Sequence, residues 1–421
     1  MEFDSRPARD AARSAQWKSA DVALPLDEPT TSSALAPLHR PARRPSFVLT
    51  MGDYHGTIAA ARDLGRAGIE CVLADASFLA RAGWSRWVRR RVRCAAPADD
   101  PAAFVDRIEA LGRSGPGSVL YPASDDTAFL FALHAARLGA HYRLFQPTVE
   151  TIYALLNKKR LFDLCARVGL DAPATWFPAD RADVDRITAE ARGPVILKPQ
   201  TQIQYRSQIK GFRVPRSEDL GPMYEAFLRE SAWGHEIATY DPGVVQPMIQ
   251  RFHAVDRIYS IAGFRTPEGR IVARASNKVF QRPRRMGVGI CFEAAPVDAV
   301  LLEKLARLCE EVGYFGVFET EFIESEGRAL LIDFNPRFYG QMHFEVSRGL
   351  PLARLVFESA CGNDADVSRL LDRAAAADEG PVAYCHRNVV RMSLALTRLF
   401  GAGGADQDRK STRLNSSHLG I

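Results

Sequence analysis

The chain carries seven cysteines, an odd number, with neither a Cys-x-x-Cys pair nor a Cys/His cluster among them. That leaves no metal-type spacing and fits free thiols in a reducing compartment. No apolar run reaches the roughly 18 residues that a membrane helix needs. No N-terminal apolar core flanked by basic residues reads as a signal peptide. Charge of one sign is scarce: a net +5 over 421 residues is mild and gives no clustered basic face for nucleic acid. No internal repeat is visible. A G-x-G-x-x-G dinucleotide fingerprint is missing too, since the first turn holds only Gly52 and Gly56. What remains is an ordinary globular composition, 47% hydrophobic and 25% charged, long enough for two or three packed units. The expectation is a cytoplasmic protein with no membrane and no nucleic-acid partner.

The most informative stretch present is Arg328-Ala-Leu-Leu-Ile-Asp-Phe-Asn-Pro-Arg337 and its continuation to Gln341. Leu330 to Phe334 is an apolar, β-favouring run. Alternation puts Leu331, Asp333 and Asn335 on one face and Leu330, Ile332 and Phe334 on the other. Pro336, without an amide donor, ends the ladder. A carboxylate, an amide oxygen and the Arg337 guanidinium are thus presented at one strand end, a set suited to Mg²⁺ and phosphate. Gly316 to Ile323 also reads as a strand, with Glu319 and Glu321 on one face, and Ser325-Glu-Gly-Arg328 as a hairpin turn. Folding back there sets Glu321 opposite Asp333. Facing carboxylates repel unless a cation lies between them; the alternative is a solvated hairpin face.

Upstream, Phe47 to Thr50, the turn Met51 to Gly56, a helix over Thr57 to Ala67 and a strand over Ile69 to Ala74 form a βαβ unit. Trp84 to Arg93 fits an edge strand with one solvated face. Phe104 to Leu111 is helical and Ser118 to Pro122 a strand. Ser124-Asp-Asp126 caps a helix over Thr127 to Leu138, and Tyr142 to Phe145 is a short strand. This order predicts an open, mostly parallel sheet. Asp75, after the second strand, keeps a Rossmann oxidoreductase as a rival.

Val149 to Val168 reads as one helix, followed by the buried strand Gly193 to Pro199. There the next proline holds Lys198 extended, able to aim an ammonium at a phosphate. Thr201 to Lys210 contains no glycine, although Arg206, Ser207 and Lys210 offer donors. Val244 to Ile249 is a strand, and Tyr259 to Phe264 and Arg270 to Ala275 are a hairpin. The latter runs into a basic loop with Lys278, Arg282, Arg284 and Arg285, either charge-stabilising or simply solvated. Val300 to Val312 is an amphipathic helix, and helices follow near Gln341 and from Leu352 to Ala360. His343 and Glu345 read as groups in reach of a substrate or, more commonly for such residues, as surface polar groups. Beyond Gly362 the pattern is uninformative, and Val389 to Phe400 is too short to span a membrane.

In chain order, Glu321…Asp333-x-Asn335-x-Arg337, Lys198-Pro, the Val244-Val-Gln-Pro-Met-Ile249 hinge, Asn157-Lys158 and Gly-Asp-x-x-Gly resemble the ATP-grasp family. Asp333 stands where Glu is commoner, Asn157 where Asp is usual and Pro247 where Glu is usual. The resemblance implies an α/β architecture: an open parallel-sheet pre-ATP-grasp domain (46–147), then a two-lobed α+β ATP-grasp domain (148–362). Residues 1–45 are expected to be a disordered extension, 363–408 a segment without assigned role, and 409–421 a non-native tail. It further implies ATP and Mg²⁺, with Mn²⁺ as a substitute. Glu321, Asp333 and Asn335 would hold the metal. Lys158 and Lys198 would meet phosphates, and Gln246, Met248 and Ile249 the adenine. Arg337, Lys278 and Arg282 would serve the acyl-transfer end. The implied activity is ligation of a small-molecule carboxylate to an amine through an acyl phosphate. A kinase- or carboxylase-like reaction and a non-catalytic nucleotide-binding subunit are the alternatives. A homo-oligomer is left open.

Overall fold

The computed structural model describes residues 44–386 apart from 116, 192, 208–210, 283–287 and 377–379. The expected N-terminal extension, apart from 44 and 45, the tail after 408, Lys210, Arg284, Arg285 and the Val389 stretch lie outside them.

Strands β1 (Phe47–Thr50), β2 (Cys71–Asp75), β3 (Val88–Arg93), β4 (Ser118–Leu120) and β5 (Tyr142–Leu144) form one sheet in the order β3-β2-β1-β4-β5. Every neighbouring pair is parallel. β1 and β4 are buried throughout, as parallel strands covered by helices are. β3 is the edge, with its arginines exposed. The helix expected over Thr127 to Leu138 is two helices, Asp125–Leu133 and Ala135–Gly139, the first opened by a Ser124/Thr127 capping box.

The next six strands are β6 (Thr175–Trp176), β7 (Val195–Pro199), β8 (Tyr205–Arg206), β9 (Phe212–Val214), β10 (Ala232–Trp233) and β11 (Pro247–Arg251). They build an antiparallel sheet β6-β11-β7-β9 and a separate β8-β10 pair. Helices Arg181–Glu190 and Leu220–Glu230 supply Val184, Ile187, Leu220 and Phe227 to a small core with Leu197 and Ile249.

The last six are β12 (Arg257–Arg265), β13 (Ile271–Arg282), β14 (Val288–Ala295), β15 (Gly316–Ser325), β16 (Arg328–Asn335) and β17 (Ala383–Cys385). They form the sheet β16-β15-β12-β13-β14-β17, antiparallel throughout. β17 comes from the segment whose sequence carried no signal. In the β15–β16 turn Glu326 and Gly327 both have left-handed backbone, φ +54° and +73°, as a type I′ hairpin requires. Strict alternation along β16 fails at one point. Pairing jumps from Glu321↔Asp333 to Phe322↔Leu331 and leaves Ile332 extra. This bulge lets Leu331 and Phe334, expected on opposite faces, enter the same core.

The helix expected over Val149 to Val168 breaks into Val149–Leu156 and Lys158–Val168. Asn157 is the cause. Its side chain caps the second helix by accepting from the amides of Lys159 and Arg160, and the Lys158 amide donates to Gln200 O at 2.8 Å.

The five- and six-stranded sheets share buried cores. One contains Leu120, Phe129, Tyr153, Ile261, Phe318 and Phe334; another contains Leu49, Val119, Tyr121, Phe264, Val317 and Phe338. Hydrogen bonds cross the same seam: Val317 N donates to Tyr121 Oη at 2.9 Å and Phe338 N to Pro122 O at 3.1 Å. Gly56, opening helix His55–Arg66, lies so close that an added Cβ would meet Tyr339 O at 2.7 Å. Glycine is required there by contact with the segment just after β16.

Candidate active site

The type I′ hairpin sets Glu321 directly opposite Asp333, and Glu319 opposite Asn335. Both outer carboxylates are compensated by lysines. Lys278 Nζ donates to Glu321 Oε1 at 2.6 Å, and Lys158 Nζ pairs with Asp333 Oδ1. Burial pushes Asp333 up, but Lys158, then Arg337 and Lys278, outweigh it and hold the carboxyl below its usual range. Lys278 shows the mirror case: burial opposes its charge, while Glu321, Glu319 and Asp333 raise it above the usual lysine value.

Asn335, expected to offer its oxygen to a metal, has its amide engaged on both sides. Nδ2 donates to Glu319 Oε2 at 2.6 Å, and Oδ1 accepts from Arg337 Nη2 at 2.7 Å. Sequence reasoning gave Glu319 no part in the metal set, yet it is 2% exposed and is the hub of the floor. It also accepts from Ser260 Oγ at 3.0 Å and Gln341 Nε2 at 2.8 Å. Burial, then Glu321, pushes its carboxyl up to about 7. The i, i+2 spacing of Glu319 and Glu321 was the available signal.

Arg337 is fully organised by three parts of the chain. Nε donates to Asp125 Oδ1 at 2.5 Å, Nη1 to Tyr54 Oη at 3.1 Å and Phe338 O at 3.0 Å, and Nη2 to Asn335. Tyr54 closes the turn after β1, and Asp125 opens the helix after β4. The C-terminal strand ends of the parallel sheet therefore meet the end of β16 at one guanidinium.

On the small lobe, Lys198 donates to Gln250 Oε1 at 3.1 Å. Burial, then Lys158 nearby, lowers its ammonium to about 8, with Asp333 pulling the other way. Lys198 pairs in register with Met248, so Lys198, Met248 and Gln250 share the face towards Asp333. The two-residue period turns Ile249 the other way, into the core with Leu197. Of the residues expected at the adenine, Ile249 therefore gives its side chain to this core, while the expected contact through the backbone near Gln246 and Met248 does not depend on it. Gln246 O accepts from Gln200 Nε2 at 3.0 Å, and its side chain from Tyr224 Oη.

The described part of the glycine-free loop, 201–207, is anchored. Gln204 has left-handed backbone, φ +49°, donates its amide to Asp126 Oδ1 at 2.6 Å and bonds Ile237 and Glu236 through its side chain. Arg206 donates to the carbonyls of Ala98 and Asp99. Arg282 ends β13; its side chain lies outside the described residues. Glu345 is corrected from surface to core: 1% exposed, bonded to Tyr339 Oη at 3.0 Å, and pushed up to about 8 by burial. Asp75 spends one oxygen on the turn after β1 and the other on its own turn, accepting from Gly52 N and Ser77 N at 2.6 and 2.8 Å. That leaves it poorly placed to read a ribose, as the Rossmann rival required. Among the described residues no three or more His, Cys, Asp or Glu side chains converge as a ready-made metal cage, and no helix is long and apolar enough to cross a membrane.

This lobed arrangement has known counterparts. The biotin carboxylase domain of Hydrogenobacter thermophilus 2-oxoglutarate carboxylase, solved with MgADP, ADP and bicarbonate, superposes with TM-score 0.61 at 17% identity over 76% of this chain and 70% of that one. The chain has the ATP-grasp fold. The L-amino acid ligase of Bacillus licheniformis is similar to this chain with TM-score 0.56 at 15% identity, over 76% and 75% of the two chains. N5-carboxyaminoimidazole synthetase of Staphylococcus aureus gives 0.55 at 13% over 75% and 78%. No family model matches the sequence, and no curated protein matches it.

Proposed function

We propose that this ATP-grasp protein is an ATP-dependent ligase that activates a small-molecule carboxylate as an acyl phosphate and joins it to an amine, releasing ADP and phosphate. The observation that carries the reading is the Glu321–Asp333 pair, facing across one ladder with a lysine on each and Lys198 on the opposite lobe beside them. Named activities of structural neighbours, an amino acid ligase among them, support the same class.

The donor set suits Mg²⁺: two hard carboxylates on adjoining strands, each already neutralised by an ammonium standing where a cation would. Glu321 and Asp333 would hold the ion, which supplies charge neutralisation along the triphosphate. Asn335 fixes Glu319 and Arg337, which flank that pair. With Glu321 and Asp333 holding the ion, the ammonium groups of Lys278 and Lys158, which pair with them here, would be free to face incoming anions. Lys198 meets the phosphates from the small lobe, with Met248 beside it towards the base. Arg337, immobilised by Asp125, Tyr54 and Asn335, presents its remaining N–H to the transferring group, at no reorganisation cost. No protein nucleophile is needed.

A phosphate-release screen of Mg-ATP with amino acids and small acids tests the reading. Ligation requires ADP release that depends on both a carboxylate and an amine. Release without amine indicates a kinase-like reaction. Dependence on bicarbonate points to carboxylation, the chemistry named for the Hydrogenobacter thermophilus neighbour. Asp333→Asn is expected to abolish turnover with an unchanged circular dichroism spectrum; full activity in that variant would refute the metal role.

A further inference from the structure

β17 is a three-residue edge strand whose pairing places Cys385 opposite Cys291 of β14. Two ladder bonds define the kind of pair. His386 N donates to Ile290 O at 2.9 Å, and Ala294 N to Val382 O at 2.8 Å. Hydrogen-bonded and non-hydrogen-bonded pairs alternate along an antiparallel ladder, so Cys291/Cys385 is a non-hydrogen-bonded pair. In such a pair the Cα atoms lie about 4.5 Å apart and the side chains approach most closely. Disulfides need a Cα separation of about 4.4–6.8 Å. Both residues are partly exposed. Of the other cysteines, Cys71, Cys165 and Cys309 are buried, leaving Cys94 and Cys361 as the remaining partly exposed ones.

We propose that Cys291 and Cys385 are a reversible redox modification site, forming a cross-strand disulfide by exchange with a low-molecular-weight disulfide. The sulfur of Cys385, on the edge strand, attacks the external disulfide, breaking its S–S bond and expelling one thiol. Cys291 then attacks the Cys385 sulfur of the mixed disulfide and expels the second. Two protein thiols are oxidised, the external disulfide is reduced to two thiols, and the two protons pass to those leaving groups. A bond made in a reducing compartment by exchange, not by a structural framework, is of the sensing kind.

The link pins more than a strand end. His386, next to Cys385, stacks on His55, the first residue of helix His55–Arg66, with ring centroids 3.9 Å apart. His55 follows Tyr54, which holds Arg337. Phe292, in register with Lys278 on β13, packs edge-on against His386. β17 is therefore a strap between the sheet carrying the acidic floor and the turn that orients Arg337, and the disulfide fastens it.

The test treats the full chain with oxidised glutathione, then counts free thiols under denaturing conditions and maps the unreduced digest. Two of the seven thiols are expected to disappear with the loss of two hydrogens, and the Cys291 and Cys385 peptides to be joined. Exchange of the Ala294 and His386 amides is expected to slow in the oxidised protein. Cys385→Ser should leave Cys291 unlinked. Survival of all seven thiols, glutathione adducts without the 291–385 link, a link to another cysteine, or unchanged amide exchange in the linked protein would overturn the proposal. None of these readings depends on ATP turnover, so they stand apart from the ligase assignment.

Discussion

Lys198, next to last in β7, sets its ammonium against Gln250, close to Lys158, and burial with that neighbour lowers it to about 8. An arriving triphosphate has the opposite effect and returns the group towards its ordinary value of about 10.4. Nucleotide binding at pH 9 should therefore take up close to one proton, read by calorimetry in buffers of differing ionisation enthalpy. Lys198→Met should bind without that uptake and at least tenfold more weakly. The position of this lysine was legible, because a Lys-Pro at the end of an apolar run has few other readings. Its neighbour Gln250 was not, since a single glutamine on a strand carries no periodic signal. Asn157 shows why a departure from a family pattern can be local chemistry. Its amide Nδ2 donates to Tyr153 Oη at 2.9 Å, and that hydroxyl donates to Asp241. A carboxylate there would have no proton for Tyr153.

At the level of elements, helix ends are held by side chains far away in sequence. Asp63 of helix His55–Arg66 accepts from the amides of Ala353 and Arg354 at 2.9 and 3.1 Å and so caps helix Leu352–Ala360. Burial raises its carboxyl to about 6, above an unfolded value of about 3.9. The folded state thus holds the proton more tightly. This contribution to stability is complete below about pH 4 and is lost as pH rises through about 6. Urea midpoints of the parent protein and Asp63→Asn should diverge across that window, with the variant lacking this part of the slope. Such long-range caps are invisible in sequence, because neither end shows a local partner. The same limit applies to β17, three residues whose place depends on an edge made by a strand about ninety residues earlier. The β15–β16 hairpin was legible by contrast: Glu-Gly between two alternating runs fixes both turn and register. Only the bulge at Ile332 escaped.

The whole molecule is joined where Arg337 meets Asp125 and Tyr54. The side chains of Arg337 and Asp125 are 12% and 19% exposed, so removing the carboxylate leaves a mostly buried cation short of its partner. Asp125→Ala is expected to cost about 3 kcal/mol in urea unfolding and to speed amide exchange in the turn over Gly52 to His55. Nucleotide affinity should stay near that of the parent protein, because Lys158, Lys198 and Met248 are untouched. The two-part α/β plan could be read from alternating elements followed by hairpins. The seam could not, since nothing in the periodicity of Tyr121 or Val317 announces that they meet.

That seam sets a rule for anyone recombining this protein with its relatives. Phe129 and Tyr153 share an interior with Phe318 and Phe334, so neither portion owns a finished inside. A chimera cut near residue 147 would set mismatched apolar surfaces against each other. The parallel sheet and the acidic hairpin are inherited as one piece, and exchangeable parts are better sought in the small lobe, whose core around Leu197 and Phe227 is self-contained.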